Sequence, residues 1–126
     1  MSELRVSELK KAIRKKGFDP LIKELVKTVS GKEIETLTSK QRGIFMKKIR
    51  RCIGYETEDI LTSALTVEEK APCILQITYE ALARSEFRLL SREELKERIQ
   101  RIGKTELVER VNEVLQKFSA SSVNKT

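Results

Sequence analysis

Three capping boxes constrain what this chain can fold into more than any other feature. Thr38 with Gln41, Thr66 with Glu69 and Ser91 with Glu94 each set a hydroxyl three residues before a long amide or carboxylate. Such a pair satisfies two of the backbone donors that a helix start leaves open, so each box marks a helix N-terminus. Gly17, Gly31, Gly54 and Gly103 each follow an apolar-periodic stretch and mark helix ends. Between these marks the chain reads as a succession of helices.

The apolar residues have the matching period. Val6, Leu9, Ala12 and Ile13 form the first stripe. Asp19-Pro20 reads as a cap followed by proline at the first helical position, opening a segment with Leu21, Ile22, Leu25, Val26 and Val29. A third helix carries Ile44, Phe45, Ile49, Cys52 and Ile53. A shorter fourth is expected over Thr57–Leu65, with Glu58 and Asp59 in its first turn, where carboxylates suit the helix dipole. The fifth holds Ala71, Ile74, Leu75, Ile77 and Leu82, and as the most apolar it is expected to be central; Pro72 puts its start near Ala71. Leu95, Ile99 and Ile102 define a sixth, and Leu107, Val108, Val111, Val114, Leu115 and Phe118 a last helix over Thr105–Phe118. No segment alternates convincingly as a strand. The expected fold is all-α, a compact single-domain array of about six or seven short amphipathic helices over residues 1–118. Residues 119–126, SASSVNKT, lack a core pattern and are expected as a flexible C-terminal tail.

Composition narrows the function. The absence of His removes the commonest general base. Without CxxC, the two cysteines, Cys52 and Cys73, lack metal-site spacing and are expected as free core thiols. The five glycines are scattered rather than clustered into a phosphate loop. Glu58-Asp59, Glu68-Glu69 and Glu93-Glu94 each open a helix, where the dipole accounts for them. No catalytic residue, cofactor, metal site or small-molecule substrate is therefore expected, and the chain is not read as an enzyme. No apolar run approaches the roughly 18–20 residues that a membrane span needs, and the N-terminus lacks a signal-type apolar stretch. A soluble, intracellular, cytoplasmic protein is expected.

Charge is unevenly placed. Residues 1–51 hold fifteen Lys/Arg against six Asp/Glu, residues 52–90 three against seven, and residues 91–126 eight against six. The basic excess falls in two runs. Lys10, Lys11, Arg14, Lys15 and Lys16 lie on the first helix. Lys47, Lys48, Arg50 and Arg51 form an arc of the third helix opposite Phe45, Ile49, Cys52 and Ile53. These nine residues are the candidate partner-binding face, and an acidic protein surface within a multiprotein complex is the expected partner. Nucleic-acid phosphate is the alternative, with salt-sensitive binding, although aromatic stacking residues are nearly absent beside the basic run. Membrane insertion is not expected, because the bulky apolar residues are spent on the core.

Two family resemblances bear on the same segments. TLTSKQRGIFMKKIRRCI (Thr36–Ile53), through Leu37, Gln41, Arg42, Phe45, Met46, Lys47 and Ile49, resembles the sixteen-kilodalton subunit of the actin-nucleating actin-related-protein complex. ILQITYEALARSEFRLLSR (Ile74–Arg92) resembles a later segment of that family through Leu75, Gln76, Ala81, Leu82 and Arg88. The resemblance implies an all-α, non-catalytic, cytoskeletal subunit. LRVSELKKAIRKKGF (Leu4–Phe18) and IGKTELVERVNEVL (Ile102–Leu115) look like the two helices of a SAP-type DNA-binding hairpin, which implies the nucleic-acid alternative.

Overall fold

The computed structural model describes residues 4–54 and 60–123. Seven helices occur among them: α1 (Val6–Lys16), α2 (Asp19–Ser30), α3 (Ser39–Ile53), α4 (Ile60–Ala64), α5 (Val67–Leu82), α6 (Arg92–Ile102) and α7 (Lys104–Val123). No strand forms among the described residues. Arg5 and Thr66 make one isolated antiparallel bridge, in which Val6 N–H donates to Leu65 O and Val67 N–H to Leu4 O, both at 2.8 Å. The expected all-α array is what the chain adopts.

All three capping boxes close in both directions. At α3, Gln41 N–H donates to Thr38 Oγ1 at 3.1 Å and Thr38 N–H to Gln41 Oε1 at 3.0 Å. Gln41 also donates its side-chain amide to Glu86 O at 2.8 Å, which ties the start of α3 to the α5–α6 connection.

Three boundaries differ from expectation. Asp19 is the first residue of α2 rather than its cap, and Phe18 occupies the cap position without a side-chain bond. The Asp19 carboxylate instead accepts Arg42 Nε at 2.6 Å and Nη2 at 2.9 Å. A bidentate guanidinium is a stronger partner than one backbone amide. Helix α5 starts at Val67, and Pro72 lies inside it. The missing proline donor falls opposite Glu68, and both residues are exposed, so the lost bond is confined to the wet side of the helix. Helix α7 continues past Phe118 to Val123, with Ser119 buried and Ala120 packed on the core. Extending an existing helix is inexpensive, and the burial of Ser119 with the packing of Ala120 on the core offsets that cost. Thr57, Glu58 and Asp59, expected to open the fourth helix, lie outside the described residues, as do residues 124–126.

The core has two centres. Helix α5 packs on α3, α2 and α1, while α7 packs on α5, α1, α2 and α6. The expected central helix therefore shares its role with the last one. Leu107, Val111 and Leu115 recur at four-residue steps and are fully buried, so α7 presents a continuous apolar ridge. Phe45 of α3 meets Phe87 edge to face, with ring centroids 5.4 Å apart.

The expectation of two free thiols is overturned. Cys52 of α3 and Cys73 of α5 form a disulfide, with Cα atoms 6.0 Å apart. The two helices pack together and bring the sulfurs face to face. That proximity arises from tertiary packing across 21 residues, and spacing alone does not display it.

Candidate functional site

The nine cations of the sequence-derived face divide into two groups. Lys11, Arg14 and Lys15 on α1, with Lys47 and Arg51 on α3, stand exposed. No ion pair forms with these five among the described residues. The other four turn toward the fold. Lys10 is only 7% exposed, because Val6, Leu9, Lys10 and Ile13 share one stripe at i, i+3, i+4 and i+7. Its stem is buried and its Nζ donates to Ser63 Oγ at 3.0 Å. Lys16 Nζ donates to Phe118 O at 2.6 Å and lies 4.0 Å from the centre of that ring. Lys48 pairs with Glu80 at 3.1 Å. Arg50 lies over the Phe18 ring, 5.6 Å from its centre.

The two basic runs also stand on helices with different neighbours. Helix α1 packs chiefly on α7 and α4, and α3 chiefly on α5. The Arg50–Phe18 and Arg42–Asp19 contacts bring α3 to the α1–α2 turn and so link the two runs at one corner. Glu80 is the nearby acid. The Gln76 amide, then the Lys48 ammonium, hold its carboxyl below the usual range, and Arg51 adds its field.

A second concentration of positive charge was not visible in the sequence. Helices α2, α6 and α7, with the last residue of α1, border an open cleft of about 760 Å³ whose cations are Lys16, Lys23, Lys27, Arg98, Arg110 and Lys117. Its carboxylates are Glu24 and Glu113. Arg98 reaches from α6 to the C-terminal end of α2, donating Nε–H to Val29 O at 2.9 Å and Nη2–H to Thr28 O at 3.4 Å. Gly31 makes room for it: a Cβ there would lie 2.8 Å from the guanidinium carbon. Gly31 also holds the left-handed conformation that ends α2, with φ 76°.

The cleft is incompletely neutralised. Lys27 pairs with Glu33 at 3.1 Å and Arg110 with Glu106 at 3.0 Å. Lys23, Arg98 and Lys117 make no ion pair among the described residues. Partial burial, then repulsion from Arg101 and Arg110, pushes the Arg98 pKa below its ordinary value. Regional charge counts hide this cluster, because its members are split between residues 1–51 and 91–126 and the second of these stretches is nearly balanced.

Among the described residues, no group of three His, Cys, Asp or Glu side chains is placed to hold a metal ion. No helix among them is long and apolar enough to cross a membrane. Comparison with family models, curated proteins and solved structures gave no match to this chain.

Proposed function

We propose that this chain is a non-catalytic helical docking module, a small subunit or adaptor that binds an acidic protein surface within a larger assembly. The observation that supports this reading is the set of five exposed cations on α1 and α3 that form no ion pair among the described residues. Unpaired surface charge of one sign contributes little to stability and much to the rate and orientation of encounter. An actin-nucleating, cytoskeletal assembly is the specific form implied by the resemblance of Thr36–Ile53 and Ile74–Arg92. Those two blocks include much of α3 and α5, which pack together.

The inward-facing residues refine the test. Lys10, Lys16, Lys48 and Arg50 have partners within the fold, so charge reversal there perturbs structure as well as binding. The informative variant reverses Lys11, Arg14, Lys15, Lys47 and Arg51 to Glu and leaves the other four intact. Affinity capture from source cells is expected to recover stoichiometric partners with the wild-type chain and to lose them with the variant. Recovery of the wild-type chain as a lone monomer overturns the proposal. So does an electrophoretic shift of DNA or RNA at roughly 50 mM salt that depends on the same five residues. A cytoplasmic location belongs to this proposal as well, but the Cys52–Cys73 bond removes one of its supports, since reducing compartments rarely sustain disulfides. Thiol alkylation at harvest, followed by mass measurement, tests that part directly.

A further inference from the structure

We propose that the cleft between α2, α6 and α7 is a binding site for a small anion carrying several phosphate groups. It is separate from the exposed face of α1 and α3, so either reading can fail without the other.

Three observations converge on it. The first is the field. Six cations and two carboxylates line one concavity, and a positive excess remains after Lys27 and Arg110 are paired with Glu33 and Glu106, so the cleft focuses a positive potential and concentrates anions within it. The second is capacity. About 760 Å³ falls within the range of small-molecule sites, roughly 300–1,000 Å³.

The third is Arg98. Its Nε–H and one Nη2–H are committed to the carbonyls of Val29 and Thr28, which fixes the guanidinium plane in place. The two Nη1 hydrogens and the second Nη2 hydrogen have no acceptor among the described residues. A guanidinium that is held by carbonyls, flanked by Arg101 and Arg110 and left without a carboxylate is suited to a doubly charged oxyanion. Lys23 and Lys117, with no ion pair among the described residues, supply further point charges on α2 and α7.

The chemistry favours phosphate over the rest of any ligand. Phosphate monoesters carry close to two charges at neutral pH and three strong acceptor oxygens. The aromatic ring at the cleft, Phe118, is 9% exposed and lies beneath Lys16, so no ring is open for a base to stack on. Recognition then rests on the phosphates themselves, and the bound molecule is held rather than turned over.

The test is titration calorimetry of the full chain with inorganic tripolyphosphate, and separately with inositol hexakisphosphate, at roughly 50 mM salt. Saturable one-to-one binding is expected, with chemical-shift changes at the Arg98 Nε–H of the unaltered protein. The double variant Lys23→Gln/Lys117→Gln, which breaks no hydrogen bond or ion pair of the described fold, is expected to weaken binding about a hundredfold, at about tenfold for each lost charge-assisted bond. The control Lys11→Gln/Lys15→Gln is expected to leave affinity within about twofold, as the two patches are distinct. A stronger response to one of the two probes assigns the ligand to linear or ring-borne phosphates. Absence of saturable binding to either probe overturns the proposal. Equal weakening by the control does the same, because it reduces the effect to bulk charge. Capture of duplex DNA or polyglutamate through Lys23 and Lys117, with no tripolyphosphate binding, assigns the cleft to a macromolecule and likewise overturns it.

Discussion

Reducing the Cys52–Cys73 bond separates the contribution of that covalent link from the packing of α3 on α5. The bond closes a loop across 21 residues. In the chain-entropy account, opening a loop of that length restores about 11 cal/mol/K to the unfolded state, or about 3 kcal/mol at 25 °C. For 126 residues, an unfolding entropy of about 2.1 cal/mol/K per residue sums to roughly 0.26 kcal/mol/K, so Tm should fall by about 12 °C. The helices should survive at 25 °C, because Phe45, Ile49, Ile53 and Ile74 remain buried whether or not the sulfurs are joined. The assay compares thermal and urea unfolding of the oxidised protein, the protein in a phosphine reductant, and Cys52→Ala/Cys73→Ala. The expected result is a lower midpoint for both reduced forms, with little loss of helical circular dichroism before the transition. A Tm shift under about 3 °C on reduction contradicts the entropic reasoning. Two titratable thiols in the native, unreduced protein contradict the bond itself.

Two further expectations follow from single positions. Gly31→Ala places a Cβ at φ 76° and 2.8 Å from Arg98 Cζ, so it should cost about 1–2 kcal/mol in urea unfolding. Gly43→Ala, in mid-α3 with nothing within 4 Å of the added carbon, should instead stabilise by about 0.5–1 kcal/mol; equal effects at the two sites would remove the argument. The Arg42 hydrogen bonds hold the Asp19 carboxyl below its ordinary value. A depressed carboxyl pKa contributes stability above the unfolded value, near about 3.9, and loses it as pH falls through the folded value. Asp19→Asn should therefore cost under about 1 kcal/mol at pH 7, since the pair is half exposed, and close to nothing at about pH 2, measured by urea midpoints.

Local chemistry was the legible part of this fold. The capping boxes at Thr38, Thr66 and Ser91 act between residues three apart, so the sequence contains both partners, and all three form. What failed depended on distant residues. Asp19 is drawn from a capping role by Arg42, 23 positions away, and the cysteines meet because α3 and α5 pack. Lys10 is the instructive case. Its spacing from Val6 already placed it on the buried stripe, but counting it as a cation obscured that signal. The α2–α6–α7 cleft had no such signal. Lys23, Arg98 and Lys117 become neighbours of one space only after the last helix docks.

The position of α7 has a consequence for how the protein is made. It is the final helix of this sequence, and it packs on α1, α2, α5 and α6. A ribosome releases residues from the N-terminal end at roughly 5–20 per second. The partners of Leu107, Val111 and Leu115 on the earlier helices therefore emerge seconds before the ridge that covers them. During that interval the nascent chain presents apolar helix faces, a natural target for chaperones and a point of vulnerability to proteases. Docking of α7, rather than the formation of any earlier helix, then completes the core.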